Sequence, residues 1–190
     1  MLIEASTLPE VLILTPRRFG DARGWFSETF SARVMAGAGI GIDWVQDNHS
    51  FSAVQGTLRG LHYQSHPHAQ DKLVRCTRGA ILDVAVDFRA GSPRFGQWVS
   101  QRLSAENGQQ LLVPKGFLHG FVTLSPDVEV QYKCSDFYAP DCDGAVRWDD
   151  PGIGIDWGDL PEGGPVLSDK DKGAPLLKDA PRPFRYEGMK

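Results

Sequence analysis

Glycine and proline recur so often along this chain, 21 and 13 times in 190 residues, that it can hold only short regular elements between them. Most of the intervening segments are rich in Val, Ile, Phe, Tyr and Trp or alternate apolar and polar residues with period two, the pattern of strands half-buried against a core. Candidate strands occupy 10–14, 57–63, 72–77, 80–88, 97–103, 110–113, 117–124 and 128–134, separated by turn signals such as TRG, AGSP and SAENG. So many short strands at this spacing predict an all-β sandwich or barrel of the jelly-roll type. Only FSARVMAGAG reads as a helix, a short one with Ser31 as N-cap and Gly37 as stop. Beyond Asp141 the chain turns Gly/Pro-rich (DDPGIGIDWGDLPEGGP), which predicts a loop-dominated C-terminal third wrapped on the same body, with residues 1–190 as one domain.

Composition narrows the function classes. Twenty Lys and Arg against 24 Asp and Glu give a net charge of −4, the wrong sign for coating nucleic acid or an anionic membrane. Phosphate, if bound, must be met by a few placed cations. Cys76, Cys134 and Cys142 are an odd number without CxxC spacing, which disfavours a disulfide scaffold or a structural zinc. The start, MLIEASTLPEVLIL, lacks the pattern of a secretory leader, and no apolar run approaches the ~20 residues that span a bilayer, so a cytoplasmic location is expected.

Period two also assigns faces. In VEVQYKC, Val128, Val130, Tyr132 and Cys134 share one side and point to the interior. The same rule sends Lys72 inward with Val74 and Cys76, and His119 inward with Phe117 and Phe121. An inward ammonium is costly unless it has a partner or a task. In GTLRGLHYQ strict alternation turns Arg59 and His62 to opposite faces; a bulge at Gly60 would bring them together.

HPHAQDK and PKGFLH together resemble the two metal-binding motifs of the cupin superfamily, HxH with a later Glu and then PxGxxH. Here Lys72 stands where the Glu would fall, and a fixed cation repels a divalent metal. The expectation is a cupin-like jelly roll without a metal, with His66 and His68 on a surface loop.

GTLRGLHYQ, the nearby Lys72, VPKGFLHGF, VQYKCSDFYAP and LSDKDKGAPLL carry a more specific likeness, supported by DARGWFSETF, QDNHS, DKLVRCTRGAILDVAVDFR and VRWDDPGIGIDW. Nearly end to end, the chain resembles the dTDP-4-dehydrorhamnose 3,5-epimerase family. The resemblance implies a metal-free, cofactor-independent jelly roll that acts on a dTDP-linked 4-keto-6-deoxy sugar. It also implies a homodimer exchanging N-terminal strands, with a pocket inside each barrel.

Inverting a carbon beside a ketone needs a base for the α-proton, a cation or donor for the enolate oxygen, and an acid on the opposite face. His62 has the right ordinary pKa for the base. By resemblance Lys72 stabilises the enolate, Tyr132 is the acid, and Asp171 orients His62, with Asp169 as the competing carboxylate. The resemblance further implies that Arg23 and Glu28, with Phe26 beside them, reach the partner's pocket. Gln46, Asn48, Arg59, His119, Tyr138 and Lys170 complete the substrate shell. Three alternatives remain open: epimerisation at one carbon only; a non-catalytic sugar-binding cupin module, which would have no use for Lys72, Tyr132 and Asp171 together; and, third, a metal-dependent cupin enzyme.

Overall fold

The structure, a computed structural model, describes residues 1–188, so the last two positions of the expected 1–190 domain lie outside the described residues. A six-stranded sheet runs in the order β1 (Leu2–Ala5), β2 (Leu12–Thr15), β10 (Gln110–Val113), β7 (Lys72–Arg78), β12 (Val128–Cys134) and β5 (Gln46–Ser52). A five-stranded sheet runs β13 (Asp143–Ala145), β6 (Leu58–Gln64), β11 (Phe117–Thr123), β8 (Ala80–Asp87) and β9 (Trp98–Ser104). β3 (Arg18–Asp21) and β4 (Gly24–Ser27) form a separate two-stranded ribbon. Pairings between these strands are antiparallel, and consecutive strands repeatedly change sheet, which makes the body a jelly roll.

Three apolar layers hold the sheets. Between them lie Val74, Ile81, Leu111, Phe117, Phe121 and Val130, with Tyr132 packed against the cluster. The C-terminal third covers the far side of the five-stranded sheet with Val146, Ile153, Trp157 and Phe184. Because β8 and β11 are thus covered on both faces, they read as nearly continuous apolar runs, whereas β12 alternates. On the far side of the six-stranded sheet, Met35 of the helix α1 (Ala32–Gly37) packs with Leu14, Leu73 and Leu112. Ser31 stands at the N-cap position in extended backbone, but its side chain makes no capping bond, and Ala38 follows Gly37 as the C-cap. Met35 packing, not a cap, therefore secures this helix.

Eight expected strands appear with ends within two residues of their expected bounds. β1, β3, β4, β5 and β13 are not among the strands expected from the residue pattern, which also does not locate the one-turn helix α2 (Asp169–Lys172). β5 escapes a hydrophobicity reading because its less exposed residues, Gln46, Asn48, Ser50 and Ser52, are polar. The C-terminal third is loop-dominated, as its Gly/Pro content predicts.

The departure from strict alternation is in β6. His62 pairs with His119 and Arg59 pairs with Phe121, so between the two pairs β6 runs one residue longer than β11. The bulge turns Arg59 to the same side as His62. It requires glycine on both strands: a Cβ on Gly60, at φ +138°, would stand 2.6 Å from the Gly120 Cα, and one on Gly120 would stand 2.9 Å from the Arg59 carbonyl oxygen. Gly120→Ala should therefore destabilise the fold by about 1–3 kcal/mol, the range for overpacking. Thermal unfolding checks this, and an unchanged Tm would contradict the close approach.

Candidate active site

Two adjoining cavities, of about 420 and 240 Å3, open between the sheets and share His62, Lys72 and Tyr132 as lining residues. The larger is also lined by Ser50, Arg59, His119, Phe121 and Asp171; the smaller by Gln46, Asn48, Gln64, Tyr138, Asp143 and Lys170. Ten of the side chains named from the sequence thus meet along one continuous wall: Gln46, Asn48, Arg59, His62, Lys72, His119, Tyr132, Tyr138, Lys170 and Asp171.

His62 Nε2 lies 2.5 Å from Asp171 Oδ1, which leaves Nδ1 as the ring nitrogen free to take a proton from a ligand. Asp171 is buried on α2, while the Asp169 side chain is fully exposed beside Lys172. The carboxylate that meets His62 is therefore Asp171. Burial pushes the Asp171 carboxyl up, but His62, the Ser168 hydroxyl and the Gly60 backbone together hold it below the usual aspartate value. Ser168 caps α2 by accepting a hydrogen bond from the Asp171 N–H at 3.2 Å, fixing the turn that carries the carboxylate.

Lys72 sits opposite Cys134 across the β7–β12 pairing. Burial lowers its pKa; Cys134, Asp143 and Asp83 act against that, and the Lys170 charge adds to it. Tyr132 is shifted the other way: burial and Cys134 raise its phenol above the ordinary tyrosine value, against Arg59 and a hydrogen bond with Asn48. At neutral pH the phenol is an acid with its proton in place.

His119 has a carboxylate of its own. Its Nε2 lies 2.7 Å from Oδ1 of Asp83, which is fully buried, and Asp83 Oδ2 has no hydrogen-bond partner among the described residues. In the smaller cavity Lys170 Nζ donates to Asp143 Oδ2, and the Tyr138 hydroxyl donates to the same oxygen at 3.4 Å. Gln46 Nε2 donates to Asn48 Oδ1 at 3.0 Å, and Gln46 Oε1 accepts from the Tyr138 N–H at 3.1 Å. Arg59 donates to the Phe51 carbonyl at 3.1 Å from the rim.

Asp83, Asp143 and Ser168 were not named from the sequence. Asp83 was within reach, since period two places it inward with Ile81 and Ala85 just as it does Lys72. Ser168 carries a cap signal in LSDKD. Asp143, in a Gly/Pro-rich stretch, carries none.

Arg23, Phe26 and Glu28 do not reach this chain's own cavities. The Arg23 side chain is exposed and paired with Asp21 at 2.6 Å, Phe26 is 70 % exposed, and Glu28 is exposed just beyond β4. His66 and His68 also lie away from the site: His68 Nδ1 meets Asp136 at 3.2 Å, and the His66 ring packs edge-on to Phe184. Among the described residues no group of three or more His, Cys, Asp or Glu side chains is arranged to hold a metal ion, and no helix is long and apolar enough to cross a membrane.

The family model described as dTDP-4-dehydrorhamnose 3,5-epimerase matches residues 5–179. The chain belongs to the dTDP-4-dehydrorhamnose 3,5-epimerase family. A family member from Sinorhizobium fredii is 50 % identical over 186 residues, covering 98 % of this chain and 94 % of the relative. Among solved structures, a dTDP-6-deoxy-D-glucose-3,5-epimerase from Legionella pneumophila in complex with dTDP-4-keto-L-rhamnose superposes with a TM-score of 0.94 at 44 % identity, covering 98 % of this chain and 99 % of that one. A 3′-monoepimerase from Streptomyces bikiniensis in complex with dTDP-quinovose superposes with a TM-score of 0.85 at 37 % identity, covering 92 % and 87 %. The epimerase fold thus houses both double and single inversion.

Lys72 and Tyr132 are shifted in opposite directions, which predicts a pH response for the site. As pH rises, Lys72 loses its proton before an ordinary lysine would, and Tyr132 keeps its proton longer than an ordinary tyrosine. Activity that needs the ammonium should be full below the Lys72 pKa and fall on the alkaline side as pH passes through it. In Lys72→Arg, whose side chain stays charged, the alkaline limb of residual activity should move to higher pH. A pH–rate profile with the limb unmoved would assign it to another group.

Proposed function

We propose that this chain epimerises dTDP-4-dehydro-6-deoxy-D-glucose at C3 and C5 to dTDP-4-dehydro-L-rhamnose, through enolate intermediates and without a cofactor. The observation that carries the reading is the shared wall of the two cavities, where a carboxylate-bound histidine, a half-buried lysine and a protonated tyrosine converge. These are the groups required to move a proton from one face of a carbon beside a ketone to the other.

In this mechanism His62 Nδ1 takes the α-proton while Asp171 steadies the imidazolium through Nε2. The charge that develops on the ketone oxygen is met by the Lys72 ammonium, a cation held in place before that charge appears. Tyr132 returns a proton from the opposite face. Epimerisation moves a proton and leaves the oxidation state unchanged, so the balance closes without a redox partner. Arg59 and Lys170 supply cations for the diphosphate, Tyr138 offers an exposed ring for the base, and Gln46, Asn48 and His119 supply hydrogen bonds.

The reading extends to a homodimer of single-domain chains that exchange N-terminal strands. Arg23, Phe26 and Glu28 are exposed on or beside the β3–β4 ribbon and line neither cavity of their own chain, which suits them to a partner's cavity. Single-carbon epimerisation is the second reading, favoured by the likeness to a 3′-monoepimerase.

Proton NMR of the product formed in deuterium oxide separates the two. Double epimerisation predicts deuterium at both C3 and C5 and the L-rhamno configuration. Label and inversion at one carbon alone would replace the proposal with the second reading, and no label at either would leave a sugar-binding module.

A further inference from the structure

Among the described residues the β3–β4 ribbon pairs with no other strand. A two-stranded hairpin on its own is marginally stable in water, so something else must hold it in place. Its register, Arg18 with Ser27, Phe19 with Phe26 and Gly20 with Trp25, gives it two distinct faces. Phe19 and Phe26 share one, 52 % and 70 % exposed. Arg18 and Trp25 share the other, with the guanidinium stacked 4.2 Å from the indole centroid.

From that second face Arg18 reaches the turn between β9 and β10. One guanidinium nitrogen donates to the Ala105 carbonyl at 2.6 Å, and the other donates to the Glu106 carbonyl. The receiving turn is itself fixed. Asn107 Nδ2 donates to the Arg102 carbonyl at 2.8 Å, and its Oδ1 accepts from the Ser104 and Gln109 N–H groups at 3.0 Å each. Gly108 leaves room for the guanidinium, since a Cβ there would stand 2.8 Å from it. A fork donating to two carbonyls of a rigid turn while stacked on an aromatic sets the orientation of the ribbon as well as its attachment.

We infer that Arg18 is a positioning residue: it latches the β3–β4 ribbon to its own barrel, so that Arg23 and Phe26 are presented to the partner's cavity as a preformed arm. The inference rests on the exchanged-arm reading above. A preformed arm has little freedom left to lose when nucleotide sugar binds, whereas a loose one must be ordered at the expense of affinity. Arg18 lines neither cavity, so its loss should act on binding and spare the chemical step.

The test is a double-mutant cycle on the full chain, with Arg18→Ala, Arg23→Ala and the pair assayed for KM and kcat, and with thermal unfolding and sedimentation run beside them. Each single variant should raise KM by roughly tenfold with kcat within about twofold. The pair should raise KM by far less than the product of the two, because Arg18 acts through the arm that Arg23 sits on. Should Arg18→Ala fail to fold, Arg18→Lys carries the same test, since a lysine can neither fork across both carbonyls nor stack as a plane. Multiplying effects, or an unchanged KM without the latch beside a raised KM in Arg23→Ala, would overturn the latch. An unchanged KM in Arg23→Ala would overturn the exchanged arm itself, and the latch with it.

Discussion

Strict alternation along β6 would turn Arg59 away from His62 and leave the cavity without one of the two. The extra residue in β6 prevents this, and it fits only because β6 and β11 touch through two glycines, 60 and 120. Much of the site is aligned from that contact. His62 then faces Asp171 from α2, and His119, its partner across the pairing, faces Asp83 from β8. A packing constraint between two backbones thereby places the chemistry.

The interior that results is unusually charged for the inside of a jelly roll. Asp83 and Asp171 are buried, and Lys72 is held among apolar strands. Burying charges costs several kcal/mol each unless they are compensated, and here Asp171 meets the His62 ring and Asp83 the His119 ring, while burial loosens the Lys72 proton. The arrangement suits enolate chemistry, because a fixed cation stabilises a charge that exists only after the proton has left. The two shifts are opposite: burial loosens the Lys72 proton and tightens that of Tyr132, so the two groups differ in how readily they release a proton.

What could be read from the sequence follows from the same physics. Apolar alternation marks strands that pack on the core, so β6 to β12 were legible, and the inward places of Lys72, Tyr132 and His119 came with them. β5 was not, because the wall it contributes is polar, and the β3–β4 ribbon was not, because its aromatic face has no core within its own chain to pack on. Spacing could not choose between Asp169 and Asp171; the cap at Ser168, which turns one inward and leaves the other in solvent, does. Asp83 obeys the rule that singled out Lys72. Asp143 belongs to a segment whose place depends on contacts far along the chain, and no local pattern announces it.

The central claim is that protons leave by one face through His62 and return by the other from Tyr132, and solvent deuterium reports on it most directly. In deuterium oxide, Tyr132→Phe keeps the base and the enolate site, so it should still exchange label into the sugar with retention while inversion falls by roughly 10² to 10⁴, the usual worth of a positioned acid. His62→Ala should lose exchange and inversion together. Inversion by Tyr132→Phe at the parent rate, or exchange persisting in His62→Ala, would contradict the two-face account.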